Sequence, residues 1–161
     1  MIAKGSSGDS GAALSINQVD HLGIVVPDLQ TAIGFYRDVL GFAVSEPVVP
    51  PGQGIAVAFV LFGNLRVELI APTVERSPLR GALENYTAND FLARQPSGGL
   101  AHVCYVVDNL EAVRDRLKAS GVRALGTGEP IIGASGSPIL FLDPRTTGDG
   151  TLIELKQRAR D

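Results

Sequence analysis

The sequence predicts an α+β fold: two tandem βαβββ modules whose sheets join as a half-barrel around a shared pocket. Two observations predict it. First, the chain repeats itself. HLGIVVPDLQTA, starting at His21, lies over HVCYVVDNLEAV, starting at His102, 81 residues later, with Val26 over Val107, Asp28 over Asn109 and Leu29 over Leu110. Second, each copy continues in the same way, through a helical pattern that stops at a glycine (Gly41, Gly121) to a closing strand of related sequence, VELI with Glu68 and IELK with Glu154. A duplicated unit that cannot bury its apolar face alone is expected to pack against its twin.

The elements follow in order. VDHLGIVV is a strand ended by Pro27, and Asp28 is placed to cap a helix over Leu29–Leu40. Leu29, Ile33, Tyr36 and Leu40 recur at three- and four-residue spacing, one face of a helix, and Gly41 suits the left-handed residue that ends it. In the second copy Asn109 caps, Leu110, Val113 and Leu117 form the stripe, and Gly121 terminates. Three strands are expected after each helix: FAVSEPV, IAVAFVLF and LRVELIA in the first module, VRALG, SPILFLD and TLIELK in the second. Turn-forming residues separate them, as in PPGQG and DPRTTGDG. Module one spans about 17–73, a linker about 74–98 and module two about 99–157. In the linker, Ser77-Pro78 reads as a helix start and FLARQPSGG as a second short helix with a glycine-rich exit. Residues 1–16, small, polar and glycine-rich, read as a mobile lead-in to a single domain over 17–161.

The bulk numbers exclude some classes of function. Fourteen basic and 17 acidic residues give a net charge of −3, which argues against a nucleic-acid partner. The single cysteine, Cys104, rules out an internal disulfide and fits a reducing compartment, the cytoplasm. No apolar run reaches membrane-spanning length, and no membrane partner is expected.

Strand alternation points to a site. In the first strand Leu22, Ile24 and Val26 face the helix, so His21 faces the pocket; in the second module Val103, Tyr105 and Val107 face the helix, so His102 faces the pocket. By the same parity Glu68 and Glu154 are pocket-side. Two imidazoles and two carboxylates thus arrive in symmetric pairs on an apolar concave surface. Unpaired buried carboxylates cost several kcal/mol each, roughly, and only Arg66 and Lys156 stand on the same strand faces as partners. A divalent metal ion (cobalt, nickel, manganese, zinc or iron) held by His21, Glu68, His102 and Glu154 resolves the cost, and four ligands leave positions open for substrate oxygens. Cys104 shares the face and reads as a small apolar residue.

These features carry a resemblance. DHLGIVVPDLQTAIGFYRDVLGF, GQGIAVAFVLFGNLRVELIAP, SPLRGAL, SGGLAHVCYVVDNLEA and ILFLDPRTTGDGTLIELKQ together resemble the vicinal oxygen chelate superfamily of glyoxalases, bleomycin-resistance proteins and extradiol dioxygenases, and most narrowly the methylmalonyl-CoA epimerase family. The resemblance runs from about residue 18 to 157. It implies that His21, Glu68, His102 and Glu154 are metal ligands and that the activity is an isomerisation. A proton leaves and returns at the carbon between a carboxylate and a thioester, through a metal-stabilised enolate. It also implies an acyl-CoA as a candidate substrate and a homodimer. Glu154 is then the carboxylate expected to double as ligand and base.

Three departures qualify this. Where the family commonly has Pro-Glu-[Gln/His]-Gly, this chain has Pro51-Gly52-Gln53-Gly54, so Gly52 replaces a glutamate base; Glu46 falls on a different family position. The family's His-His pair is Ala101-His102, and ENYTAND lengthens the linker. The loss at Gly52 keeps open another superfamily activity, a glyoxalase-like lyase or dioxygenase, or a non-catalytic binding or resistance protein. Arg145 and Lys156 are weak candidates for contacts to CoA phosphates and read rather as solvated surface charges.

Overall fold

The computed structural model describes Leu14, Ile16 and residues 18–160. Residues 1–13 of the expected lead-in lie outside the described residues. Leu14 and Ile16 are half-buried against the core of the second module.

The first module comprises β1 (Val19–Val25), α1 (Leu29–Gly34), β2 (Ala43–Val44), β3 (Ile55–Phe62) and β4 (Leu65–Pro72). The linker contributes α2 (Arg80–Leu83) and α3 (Ala88–Arg94). The second module comprises β5 (Gly99–Val107), α4 (Leu110–Ala119), β6 (Ile131–Ile132), β7 (Pro138–Leu142), a short α5 (Pro144–Thr147) and β8 (Leu152–Gln157). All eight strands form one sheet in the order β2-β3-β4-β1-β5-β8-β7-β6. The two β1-type strands meet antiparallel at its centre, and each pairs on its other side, in parallel, with its own module's closing strand. That arrangement brings the four strands that carry the candidate ligands side by side.

The predicted caps are in place. Asp28 Oδ1 accepts from Thr31 N at 2.7 Å, and Asn109 Oδ1 from Ala112 N at 3.0 Å. Gly41 and Gly121 take φ of 79° and 84°. Each helix covers one face of its own half-sheet. Leu29 and Ile33 bury against Val60, Val67 and Leu69; Leu110 and Val113 bury against Leu140, Leu142 and Leu155.

Three local expectations change. The helix begun at Leu29 is α-helical only to Gly34 and continues as a π-helical turn over Phe35–Val39, where Leu40 N reaches back to Phe35 O at 3.0 Å. FAVSEPV pairs only at Ala43–Val44 and again at Val48; Pro47 has no N–H to give, and the chain leaves the ladder there. VRALG makes only an isolated bridge, Ala124 to Leu142, while Ile131–Ile132 takes the outermost place. Gly126 and Gly128, both at positive φ, turn the chain out of the sheet between them.

The linker does more than connect. Thr87 and Asp90 form a reciprocal capping box that starts α3. Phe91 of that helix packs with Val25, Val57 and Ile70 on the face of the first half-sheet opposite α1. No helix among the described residues is long and apolar enough to cross a membrane.

Candidate metal centre and active-site cavity

The four predicted ligands converge, and all four are buried. His21 Nε2 lies 3.1 Å from His102 Nε2, 3.2 Å from Glu68 Oε2 and 3.4 Å from Glu154 Oε2. His102 Nε2 lies 3.5 Å from Glu68 Oε2 and 3.0 Å from Glu154 Oε2. Donor atoms about 2.0–2.2 Å from a common ion would stand roughly 2.8–3.6 Å apart. These separations fall in that range.

Register explains the convergence. Gly23 of β1 faces His102 of β5, and His21 faces Cys104. Each Glu also has an aromatic cross-strand neighbour: Phe59 opposite Glu68 and Phe141 opposite Glu154. Phe59 meets the edge of His21 with ring centroids 6.2 Å apart, and Phe141 meets His102 at 5.8 Å. These two phenylalanines give the imidazoles an apolar flank and were not singled out by the sequence; alternation along IAVAFVLF and SPILFLD, read against the Glu strands, is the signal that could have found them.

Asp20 was also missed. Its Oδ2 lies 2.7 Å from His21 Nδ1 and accepts from Arg66 Nη2 at 2.6 Å, and its Oδ1 is 3.4 Å from Lys156 Nζ. Arg66 and Lys156, the only basic residues on the ligand strand faces, therefore serve Asp20 and leave Glu68 and Glu154 to the imidazoles. With ionised Asp20 accepting from Nδ1–H, a neutral His21 would direct the Nε2 lone pair at two carboxylate oxygens as well as at the His102 ring nitrogen. Only a cation, a proton or a metal, reconciles that cluster. The residues present fit a divalent metal.

Electrostatics agree. Burial works against a charged His21, but Asp20, Cys104, Glu154 and Glu68 hold its pKa well above the ordinary imidazole value. Burial opposes the charged form of His102 too, and Glu154 and Glu68 nevertheless push it up to about 9. Burial would raise Glu154, yet His102 and His21 lower it to about 2; Glu68 is lowered in the same way. Asp20, despite its burial, is held below the usual carboxylate range by His21 and Arg66. Burial pushes the Cys104 thiol up to about 12, so it stays protonated, as befits a fully buried small side chain.

The donor set opens onto a cavity of about 370 Å³. Glu68, His102 and Glu154 form part of its wall, and His21 does not. The rest of the wall is mainly apolar, with Ile55 and Ile70 from module one, Ile139 and Phe141 from module two, and Leu83, Tyr86 and Phe91 from the linker. Among the described residues, Glu68 and Glu154 are its only carboxylates. Gly52 is not on the wall: it is an exposed turn residue at φ 72° with open space around its Cα. Its neighbour Gln53 does line the wall, so the turn that carries Gly52 borders the cavity. Arg145, 63% exposed at its side chain, pairs with Asp143, and Lys156 pairs with Asp20.

Residues 20–141 match the family described as the glyoxalase/bleomycin resistance protein/dioxygenase superfamily. The chain belongs to that superfamily. It is 44% identical over 142 residues to the ethylmalonyl-CoA/methylmalonyl-CoA epimerase of Cereibacter sphaeroides, covering 88% of this chain and 98% of that protein. Among solved structures it resembles methylmalonyl-CoA epimerase from Mycobacterium tuberculosis, with a TM-score of 0.77, 30% identity and 94% of each chain covered. A variant of the Streptomyces coelicolor methylmalonyl-CoA epimerase in complex with 2-nitronate-propionyl-CoA gives a TM-score of 0.76 at 30% identity, covering 91% of this chain and all of that one. The expected superfamily fold stands.

Proposed function

We propose that this protein is a metal-dependent epimerase that moves a proton at the carbon between the carboxylate and the thioester of an acyl-CoA such as methylmalonyl-CoA. One observation carries the reading: a convergent set of two imidazoles and two carboxylates that opens on one side into an apolar cavity. The relatives' names support the substrate class.

His21, Glu68, His102 and Glu154 would hold the ion, which is cobalt, nickel, manganese, zinc or iron. When bound it supplies electrophilic stabilisation of negative charge on the substrate oxygens as the α-proton departs. The apolar wall excludes water and seats the acyl chain, which strengthens every charge interaction within. Glu154, from module two, acts as ligand and as the proton-transferring base. Epimerisation needs a group on each face of the reacting carbon, and Glu68, from module one, is the only other carboxylate on the wall. We further infer a homodimer working in the cytoplasm; the exposed Phe35, Val39 and Leu40 are apolar surface of the kind a second copy would cover.

The test is proton exchange at the α-carbon of methylmalonyl-CoA and related acyl-CoAs in deuterated water, followed by NMR with metal-replete protein. Deuterium entry coupled to interconversion of the stereoisomers is expected. Absence of exchange with every acyl-CoA tried would overturn the reading.

A further inference from the structure

The two histidines occupy equivalent places in the repeat but do not have equivalent surroundings. The β1–β5 pairing slips by one residue at two points. Val19 faces Tyr105 and His21 faces Cys104, which leaves Asp20 as an extra residue on β1. Gly23 faces His102 and Ile24 faces Leu100, which leaves Ala101 as an extra residue on β5. Both slips fall on the residue just before a ligand histidine. A bulge of this kind can turn two consecutive side chains toward one side of a strand. On β5 the result is visible at the cavity, whose wall includes both Ala101 and His102.

On β1 the same device delivers a carboxylate to the far side of the ring. Asp20 Oδ2 sits 2.7 Å from His21 Nδ1. Asp20 is itself fixed from both flanks, by Arg66 of β4 and Lys156 of β8. Arg66 is in turn backed by the Phe59 ring, with its guanidinium carbon 4.6 Å from the centroid. Module two has only a methyl group at the corresponding place, Ala101.

We propose that Asp20 is a positioning residue for the metal site. It holds His21 with the proton on Nδ1 and the lone pair on Nε2, while Arg66 and Lys156 hold Asp20. His21, which is not on the cavity wall, would be the anchored ligand, and His102, on the wall with Ala101 beside it, would be the ligand nearer the substrate. The inference rests on the four-ligand reading given above. A ligand histidine whose other nitrogen donates to a carboxylate has its tautomer and ring orientation fixed, and loss of such a partner costs about 10–100-fold in metal affinity.

The chain has only two histidines, so ring nitrogen NMR resolves each directly. The parent, Asp20→Asn and Asp20→Ala are titrated with zinc against a competing chelator, with the thermal stability of each metal-free protein measured separately. In the zinc-loaded parent His21 is expected to be ligated through Nε2 and protonated on Nδ1. Asp20→Ala should bind zinc about 10–100-fold more weakly. Asp20→Asn, whose amide oxygen can still accept from Nδ1–H, should recover part of the loss. Parent affinity in Asp20→Ala, or ligation of His21 through Nδ1 in the parent, overturns the proposal and leaves the four-ligand reading standing. A parent that binds no zinc, cobalt or nickel overturns both. Should Asp20→Ala fail to fold, the parent spectrum and the Asn variant decide.

Discussion

Gly23 and His102 face each other across the central strand pair, and the imidazole occupies the space that a side chain on Gly23 would need. Any Cβ there would overlap the His102 ring. Gly23→Ala should therefore push His102 off the other three donors and weaken zinc binding by about tenfold or more, on the scale of other disturbances to ligand orientation. Chelator competition checks it. An alanine variant with parent affinity would mean that the ring has room to move.

Glu68 and Glu154 come from opposite modules and should serve opposite faces of the reacting carbon. Glu154→Gln should reduce epimerisation by about 10²–10⁴-fold. If each carboxylate serves one face, either Gln variant should still exchange the α-proton of one stereoisomer faster than that of the other, with the preference reversed between the two variants. Metal content is measured alongside, since both residues are proposed ligands. Equal residual exchange from both stereoisomers in both variants would contradict the assignment.

Gly52 should not be a missing base. Gly52 itself adds nothing to the wall, although its neighbour Gln53 does, and it is exposed at positive φ, where a side chain strains the backbone, so Gly52→Glu is expected to leave kcat essentially unchanged. A large gain in kcat would restore the sequence-based reading of that position.

The metal-free protein should lose stability as pH rises. His102 is raised from 6.5 in the unfolded reference to about 9. A raised imidazole contributes stability fully present below pH 6.5 and lost as pH climbs toward 9. Metal uptake needs neutral imidazoles, so below pH 9 it should release protons and tighten with rising pH. Thermal unfolding from pH 6 to 9.5, with and without zinc, checks both signs. The chelated protein's Tm should fall across that window, and the stabilisation conferred by zinc should grow. A flat profile for the chelated protein would be inconsistent with imidazolium–carboxylate pairing.

Thr87 is buried and caps α3, the helix that closes the first half-sheet's free face. Thr87→Ala should cost about 1–2 kcal/mol in urea unfolding and raise KM more than it lowers kcat, because α3 forms cavity wall and none of the donor set. A kcat-only effect would place α3 nearer the chemistry.

The sequence by itself determined the duplicated architecture, the caps and the convergence of four candidate ligand residues. Those follow from local rules: period-two alternation assigned His21, Glu68, His102 and Glu154 to one face, and the repeat doubled every signal. It could not reveal Asp20. Neighbours on a regular strand point to opposite faces, so alternation sends Asp20 away from His21, and only the register slip against β5 turns it back. The same limit hid where α3 sits: FLARQPSGG announced a short helix, but its seat on Val25, Val57 and Ile70 is a contact between distant segments. The tertiary structure decided those points through pairing register and long-range packing, which no window of sequence contains.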